Sequence, residues 1–377
     1  MPPARPCFAM IAGGGTAGHV SPGLAIARAL VDAGHRVDSI HYVGSERGIE
    51  TRLVPAAGFA LTVLPGRGIQ RRWTPDNIGA VWGLARAFAR AVHLVRHLRP
   101  RIVVALGGYA SVPAACAAIL WRVPIVVAEQ NAVPGLANRM IGRWAKACAV
   151  SFPGTALPHA VLTGNPVRED VRTLDRPARR ASAREGLHVD DDRVLVAVFG
   201  GSLGARHIND AVLDLAERWH GRADLAVRHV IGERDWERYA PQVAARTEAN
   251  GVACLRYDAV RYEEDMASLY AAADVAVCRS GASSVAELAV VGLPSVLIPL
   301  PGAPGDHQTA NARALVDAGG AVLLRDGDLD GEELAATLEP LVRDASTRER
   351  MGRAANELGR RDAAQAVAAL AEEYARG

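Results

Sequence analysis

Short apolar runs alternate with helix-like segments through most of this sequence, and the alternation restricts the fold more than any other feature. The run CFAMIAG at 7–13 precedes the helical pattern PGLAIARALVDAG at 22–34. In the same way, RIVVALGG at 101–108 precedes SVPAACAAILW at 111–121. Because buried strands that alternate with helices form βαβ units, the pattern predicts an α/β fold with parallel sheets.

The alternation is interrupted by a polar, arginine-rich segment and then begins again, which predicts two domains in a chain of 377 residues. We expect Rossmann-like domains at 1–165 and 179–358, a linker at 166–178, and an amphipathic terminal helix at 359–377. Ligands of open parallel sheets bind outside the carboxyl ends of the strands. We therefore expect the site in a cleft that the two sheets face.

Charge and cysteine content restrict the classes of protein to which this chain can belong. Residues 1–165 hold 17 Lys and Arg against 6 Asp and Glu, whereas the remainder holds 26 against 35. This asymmetry predicts that the first domain faces an anionic surface or ligand. The five cysteines lack ligand spacing, which favours free thiols in a reducing cytoplasm over a disulfide or zinc site. The uncharged stretches 102–121 and 288–305 contain glycines and prolines, so neither is predicted to span a membrane.

Three glycine-rich turns each separate a predicted strand from a predicted helix, at 13–19, 107–111 and 200–205. Glycines let the backbone approach a ligand, and the following helix N-terminus favours an anion. The first turn is no P-loop, because His19 and Val20 stand where Lys and Ser or Thr are required. Asp38 and Glu46 leave a dinucleotide site as a weak alternative. One such loop could be a simple tight turn, but three suit two phosphate-bearing ligands.

Seven motifs then occur in order along the chain: GGGTAGHVSPG, LGGYASVPAACAA, AEQNAVPGLANR, LTGNPVR, FGGSLGARHIN, CRSGASSVAEL and DHQTANA. Together they resemble the MurG family, glycosyltransferase family 28 of the GT-B superfamily, over nearly the whole chain. The resemblance implies a GT-B fold whose C-terminal helix returns to the first domain. It also implies inverting transfer of N-acetylglucosamine from UDP-GlcNAc to the C4 hydroxyl of lipid I, giving lipid II for peptidoglycan synthesis. No cofactor is implied.

The resemblance further implies which residues bind the substrates. The donor UDP-GlcNAc is expected to contact Thr16, Ala17, Gly18, Asn131, Arg168, Ser202, Glu263, Ala282, Ser283, Ser284, Val285, Ala286, Glu287 and Gln308. The acceptor diphosphate is expected to contact Gly14, Gly15, Gly107, Gly108, Tyr109 and Ser111. Ser202 is expected at the donor diphosphate, and the two acceptor oxygens of Glu287 at the ribose hydroxyls. Three positions depart from the family: Ala17 replaces a common Gly, Ser284 a usual Thr, and Glu263 an often apolar residue near the uracil.

The implied displacement needs a base for the acceptor hydroxyl. His19 is the first candidate, because imidazole titrates near neutrality, although capping the loop is an equal alternative. Glu129 is a second candidate base, and orienting a neighbouring loop is its simpler role. The third glycine turn is expected to stabilise the departing UDP. The implied displacement does not require a bound metal, so we expect no essential metal.

A basic and aromatic segment at 67–101 holds eight arginines and one acid around Trp73, Trp82 and Phe88. A helix over 77–98 is predicted, with Ile78, Val81, Trp82, Phe88, Val92 and Val95 on one arc. Core packing explains the periodicity, but the charge excess favours peripheral contact with the cytoplasmic face of the bacterial inner membrane, extended by Trp121, Arg139, Arg143 and Trp144. Nucleic acid is a lesser alternative.

The expected partners are therefore UDP-GlcNAc, lipid I, an anionic membrane and other cell-wall or division proteins. Three alternative functions stay open. The chain could be another GT-B sugar transferase, a UDP-GlcNAc epimerase, or a non-catalytic cell-wall scaffold. The motifs LGGYASVPAACAA and AEQNAVPGLANR weigh against the first two, and His19, Glu287 and Gln308 weigh against the scaffold.

Overall fold

A computed structural model describes residues 7–46, 48–66, 76–200, 205–248 and 254–376, without the side chains of 17, 76–82, 247 and 248. It contains two compact units, Met1–Arg168 with Arg361–Gly377, and Glu169–Arg360. All strand pairs found in the described residues are parallel, and helices connect successive strands except β6 and β7. The predicted fold class, two Rossmann-like parallel sheets, is therefore confirmed.

The strands and helices alternate along the chain. The strands are β1 Ala9–Gly13, β2 Ile40–Ser45, β3 Ala60–Leu64, β4 Ile102–Gly107, β5 Ile125–Glu129, β6 Ala147–Val150, β7 Ala160–Leu162, β8 Val194–Phe199, β9 Leu225–Val230, β10 Arg256–Val260, β11 Val275–Cys278, β12 Ser295–Leu297 and β13 Ala321–Leu323. The helices are α1 Ala17–Asp32, α2 Glu50–Ala56, α3 Asp76–Leu98, α4 Ser111–Leu120, α5 Leu136–Ile141, α6 Glu169–Arg172, α7 Arg176–Gly186, α8 Arg206–Arg218, α9 Trp236–Glu248, α10 Met266–Ala272, α11 Ala282–Val291, α12 His307–Asp317, α13 Gly331–Arg343, α14 Ala345–Glu357 and α15 Ala363–Tyr374.

The sheet of the first unit has the strand order β3-β2-β1-β4-β5-β6-β7 in the described residues. The direction of winding therefore reverses between β1 and β4. Gly13 at the end of β1 pairs with Gly107 at the end of β4, after a register shift at Ala12. The first two glycine loops thus leave adjacent strands at the switch point, where open α/β sheets bind ligands.

The second unit has the order β10-β9-β8-β11-β12-β13 in its described part, with the same reversal between β8 and β11. Strands β8 and β11 are buried apolar runs, VLVAVF and VAVC, as expected for a sheet that helices cover on both faces. The third glycine loop follows β8, but its residues 201–204, including Ser202, lie outside the described residues. Helix α11 begins four residues after β11, so its N-terminus lies at the same edge of the sheet.

The terminal helix α15 belongs to the first unit, as predicted. Its apolar face, including Val367 and Ala371, is fully buried in the cluster that contains Ile11 of β1 and Leu30 of α1. Full burial of a valine side chain contributes about 1.5–3 kcal/mol. A polar contact adds to this packing: His35 Nε2, just after α1, lies 2.9 Å from Glu372 Oε1 of α15.

Helix α3 spans Asp76–Leu98, which confirms the helix predicted over 77–98. Its buried stripe consists of Ala87, Ala91 and Val95. Phe88, predicted on the same arc as Val95, is 40% exposed, so this arc is only partly buried in the core. No helix among the described residues has the length and apolar character needed to cross a bilayer. The five cysteines are free thiols, and all but Cys116 are buried.

Candidate active site

The first glycine loop joins β1 to α1 at the switch point of the first unit. Gly15 adopts a positive φ of 96°, which favours glycine. Its backbone N–H donates to Glu50 Oε2 at 2.9 Å. Thr16 is the N-cap of α1, and its carbonyl accepts the N–H groups of His19 and Val20, each at 3.1 Å. The loop is thus held from below by a carboxylate, and its outer residues Gly15 and Thr16 are exposed.

His19 lies in the first turn of α1, with Nδ1 3.3 Å from Thr16 Oγ1. Its Nε2 faces Gly107, where an added Cβ would lie 3.3 Å from Nε2 and 3.2 Å from Asn138 Nδ2. Burial lowers the pKa of His19, and the carboxylates of Glu129 and Glu50 partly oppose this. A neutral imidazole that donates Nδ1–H to Thr16 leaves the Nε2 lone pair toward Gly107, as a general base requires.

Glu129 ends β5 and is only 3% exposed. Its Oε1 accepts the backbone N–H of Asn131 at 2.9 Å and the Asn131 Nδ2 at 3.3 Å. Its Oε2 accepts the N–H of Gly135 at 3.0 Å and the Nδ2 of Asn138 at 2.9 Å. The carboxylate therefore holds the loop between β5 and α5 through four hydrogen bonds, which favours the loop-orienting role over that of a second base.

The second glycine loop contacts the first one directly. Gly108 has a positive φ of 76°, and a Cβ there would lie 2.8 Å from the carbonyl oxygen of Gly14. Ser111 is fully buried, and its Oγ accepts the N–H of Gly107 at 2.9 Å and lies 2.6 Å from the Ala12 carbonyl. Tyr109 donates its hydroxyl to the Pro65 carbonyl at 2.8 Å. The side chains of Ser111 and Tyr109 thus shape the loop.

Two residues at this edge were not singled out from the sequence. Glu50 is fully buried beneath the first loop. Asn138 is 2% exposed, and its Oδ1 has no hydrogen-bond partner among the described atoms. Asn138 lies within the motif AEQNAVPGLANR, so the sequence could have indicated it as a site residue. The only signal for Glu50 is the pair Gly44 and Gly48 just before it, whose added Cβ atoms would overlap its side chain.

In the second unit, the predicted ribose ligand Glu287 lies on α11. The buried Tyr270 donates its hydroxyl to Glu287 Oε2 at 2.8 Å. The predicted residues Ser283, Ser284 and Ala286 are half-buried beside it, whereas the side chains of Ala282 and Val285 belong to the core. Any contact of these two core residues with a ligand would have to use the backbone.

Gln308 connects three segments at the same edge. Its Oε1 accepts the N–H of Leu300 at 2.9 Å, and its carbonyl accepts the Ser280 hydroxyl at 2.8 Å. These bonds tie the start of α12 to the segments that follow β11 and β12. Gln308 and Glu287 are therefore both at the carboxyl edge of this sheet.

Glu263, the acid that departs from the family, is held by Arg228. Arg228 Nε and Nη2 donate to Glu263 Oε2 at 3.1 and 2.8 Å, and Nη1 contacts Asp258. The Glu263 side chain is therefore held by Arg228 of β9, and this contact fixes the segment between β10 and α10. Arg168 is half-buried at the end of the first unit, and only the backbone of Ala17, at the start of α1, is described.

Metal binding has no visible basis in the described ranges. No group of three or more His, Cys, Asp or Glu side chains there is arranged to hold an ion.

Exposed apolar residues on α3, α4, α5 and the turn after it form what we name the basic-aromatic face. Its apolar members are Phe88, Leu120, Trp121, Leu136, Met140 and Trp144, which are 39–64% exposed. Its basic members are Arg86, Arg90, Arg96, Arg139 and Arg143, all exposed. The Arg96 guanidinium lies 5.6 Å from the Trp121 ring. Trp73 and the Trp82 side chain, also predicted here, lie outside the described residues.

Comparison with known proteins relates both units to one family. Residues 9–150 match the glycosyltransferase family 28 N-terminal domain, and residues 195–367 match the glycosyltransferase family 28 C-terminal domain. The chain is 42% identical, over 97% of its length and 97% of the relative's, to the UDP-N-acetylglucosamine–N-acetylmuramyl-(pentapeptide) pyrophosphoryl-undecaprenol N-acetylglucosamine transferase of Acidothermus cellulolyticus. It is 44% identical, over 98% of both chains, to the transferase of the same name from Nocardioides sp..

Two solved structures have a similar fold. MurG from Acinetobacter baumannii is 28% identical with a TM-score of 0.75, over 98% of this chain and 100% of that one. The UDP-GlcNAc 2-epimerase of Neisseria meningitidis bound to UDP-GlcNAc is 11% identical with a TM-score of 0.65, over 96% of this chain and 97% of that one. The second likeness concerns the fold alone.

Proposed function

Because this chain belongs to glycosyltransferase family 28, we propose that it transfers N-acetylglucosamine from UDP-GlcNAc to the C4 hydroxyl of the N-acetylmuramyl sugar of lipid I, forming lipid II. The observation that carries this proposal is the extent of the match between this chain and its relatives. A relative named for this transfer matches 97% of the chain at 42% identity, and the two family models match residues 9–150 and 195–367, so both units are included.

The donor is proposed to bind to the second unit. The Glu287 carboxylate would accept the ribose hydroxyls while Tyr270 fixes one of its oxygens. Ser202 and the amides of the third loop would hold the diphosphate at the N-terminus of α8, where the helix dipole favours an anion. Glu263 would place its backbone near the uracil, and Gln308 would complete the site.

The acceptor chemistry is proposed for the first unit. His19 Nε2 would take the proton of the acceptor hydroxyl while that oxygen forms a bond to the anomeric carbon. The bond from that carbon to UDP breaks, and UDP leaves with the electron pair. One displacement converts an α-linked donor into a β-1,4 product. The negative charge on UDP would be stabilised by the third-loop amides and the α8 dipole.

The acceptor diphosphate is proposed to lie on the first two glycine loops, at the switch point where α1 and α4 begin on opposite faces of the sheet. The Gly15 N–H already donates to Glu50, so the other N–H groups of these first turns would meet the phosphates. Glu129 is proposed to orient the loop that carries Asn131, not to act as a second base.

We further propose that the basic-aromatic face rests on the anionic cytoplasmic leaflet. Each arginine near such a surface contributes about 1 kcal/mol, and the exposed tryptophans suit the headgroup region. Sedimentation with vesicles containing anionic lipid should capture the protein at low salt. Trp144→Ala combined with Arg143→Ala should weaken capture. Absent or salt-insensitive binding would contradict the proposal.

The transfer itself is tested with UDP-GlcNAc and a short-chain lipid I analogue. The wild type should form the disaccharide, and His19→Ala should lose kcat by about 100-fold or more, as expected for a general base. The control His220→Ala removes an exposed imidazole of the second unit and should leave the rate unchanged. UDP-GlcNAc binding without transfer would favour the epimerase or the scaffold, which an epimerisation assay separates.

A further inference from the structure

The carboxylate of Glu50, the first residue of α2, lies between the first glycine loop and the end of β2. It has no exposed surface. Its Oε2 accepts the Gly15 N–H at 2.9 Å, and its Oε1 accepts both the N–H and the hydroxyl of Ser45 at 2.7 Å. Both oxygens accept and neither donates, which is the pattern of an ionised carboxylate.

The chain forms a socket for this carboxylate. A Cβ at Gly14, Gly44 or Gly48 would overlap the Glu50 side chain, so residues before, within and after β2 all lack side chains around it. A buried anion is unfavourable unless every acceptor is satisfied. An apolar side chain could fill the space without that requirement, so the charge itself needs an explanation.

The hydrogen bonds lead from Glu50 to His19. Glu50 fixes Gly15, Gly15 precedes the N-cap Thr16, and Thr16 contacts His19 through its carbonyl, at 3.1 Å, and its hydroxyl, at 3.3 Å. Two carboxylates act on the imidazole, Glu129 from β5 and Glu50 from α2. Both raise the pKa of His19 against the lowering effect of burial. The contacts of Thr16 and Asn138 are neutral.

We propose that Glu50 is a positioning residue for the base: it holds the first glycine loop so that His19 faces Gly107, and its charge stabilises the imidazolium formed when His19 takes the acceptor proton. This inference rests on the proposed transferase function. It also explains why a loop predicted to bind an anion has a second anion beneath it, since the carboxylate serves the base and not the phosphates.

The test compares Glu50→Gln with Ser45→Ala. Glu50→Gln keeps the size but removes the charge and turns an amide N–H₂ toward a backbone N–H. We expect kcat to fall by about 10- to 100-fold, the range for a misplaced catalytic group, and KM for UDP-GlcNAc to stay within about twofold. The acidic limb of the kcat/KM profile should move about one pH unit lower. Ser45→Ala keeps the charge and the Gly15 bond, so its acidic limb should stay where the wild type has it.

A second measurement does not depend on turnover. Titration of the His19 imidazole by NMR, assigned with His19→Gln, should give a lower pKa in Glu50→Gln than in the wild type or Ser45→Ala. If Glu50→Gln does not fold, Glu50→Asp keeps the charge but is too short to reach Gly15, so it should lower kcat with little change in the acidic limb.

Unchanged kcat and unchanged His19 titration in folded Glu50→Gln would overturn the inference and leave Glu50 as a structural group. A fall in kcat without movement of the limb or the titration would overturn the electrostatic part. Absence of transfer by the wild type would instead reject the proposed function, and the NMR comparison would still decide whether Glu50 acts on His19.

Discussion

Replacing Arg228 by methionine should destabilise the second unit more than replacing its partner Glu263 by isoleucine. The side chains of Arg228 and Glu263 are only 14% and 11% exposed. Arg228 has a second carboxylate partner, Asp258, whose side chain is 34% exposed. The two substitutions therefore differ in what they leave behind. Loss of Arg228 leaves an unpaired buried carboxylate, whereas loss of Glu263 leaves an arginine that is still paired.

The magnitudes follow from this asymmetry. Breaking a buried ion pair by removing one partner costs about 3–5 kcal/mol, and the residual exposure here favours the lower end for Arg228→Met. Glu263→Ile removes the hydrogen bonds that Arg228 makes to one carboxylate oxygen, for which about 1.5–3 kcal/mol is expected. The double variant replaces the pair by apolar side chains and should lie within about 1 kcal/mol of the wild type, because Asp258 can then be hydrated.

Urea unfolding of the full chain, followed by tryptophan fluorescence, measures these free energies of unfolding. Arg261→Met is the matched control, since Arg261 pairs with Glu237 at an exposed position and should contribute less than about 1 kcal/mol. Equal destabilisation by Arg228→Met and Glu263→Ile would refute the reasoning. So would a double variant as unstable as Arg228→Met alone, because the coupling between the two side chains would then be absent.

Four further outcomes are expected. Burial lowers the pKa of His229 to about 3, so the folded state stays neutral while the unfolded state binds a proton below pH of about 6.5. The free energy of unfolding should therefore fall by about 1.4 kcal/mol per pH unit from about pH 6.5 down toward 3, and comparison of thermal unfolding with His229→Gln should show no such term in the variant. Tyr270→Phe should raise KM for UDP-GlcNAc about 5- to 10-fold with kcat nearly unchanged, since one hydrogen bond to a carboxylate is lost; a matching loss of kcat would argue against a donor-site role. Gly108→Ala, which combines a positive φ with a Cβ 2.8 Å from the Gly14 carbonyl oxygen, should lower the free energy of unfolding by about 1–3 kcal/mol, whereas Gly221→Ala, in open space, should not. Exhaustive chelation should leave the transfer rate unchanged, and loss of activity restored by magnesium would contradict the expectation of no essential metal.

Local sequence patterns sufficed for the strands that precede the glycine turns and the helices that follow them. The run CFAMIAG contains β1, and Gly13 and Gly107 end neighbouring strands as the glycine turns indicate. These features depend on residues close together in the sequence. Periodicity placed Phe88 on the apolar arc of α3, but it did not decide whether that arc packs in the core or is exposed.

Contacts between distant residues could not be predicted in this way. The bond between Glu50 and Gly15 joins residues 35 positions apart, and an acid at the start of a short helix does not by its type indicate burial. The pairing of Glu263 with Arg228 also joins residues 35 positions apart. The resemblance to a family did not supply it, because the resemblance led us to expect an apolar residue at the position of Glu263.

The terminal helix α15 has a consequence for how the protein is made. The first unit is built from two stretches of chain, and the whole of Glu169–Arg360 is synthesised between them. Domains usually fold in the order in which they leave the ribosome. Here the continuous second unit can finish first, while the core around Ile11 and Leu30 stays uncovered until Val367 emerges. Residues of α15, translated after the second unit, thus complete the core of the unit that was started first, so a nascent chain that stops before α15 leaves one face of the first sheet uncovered.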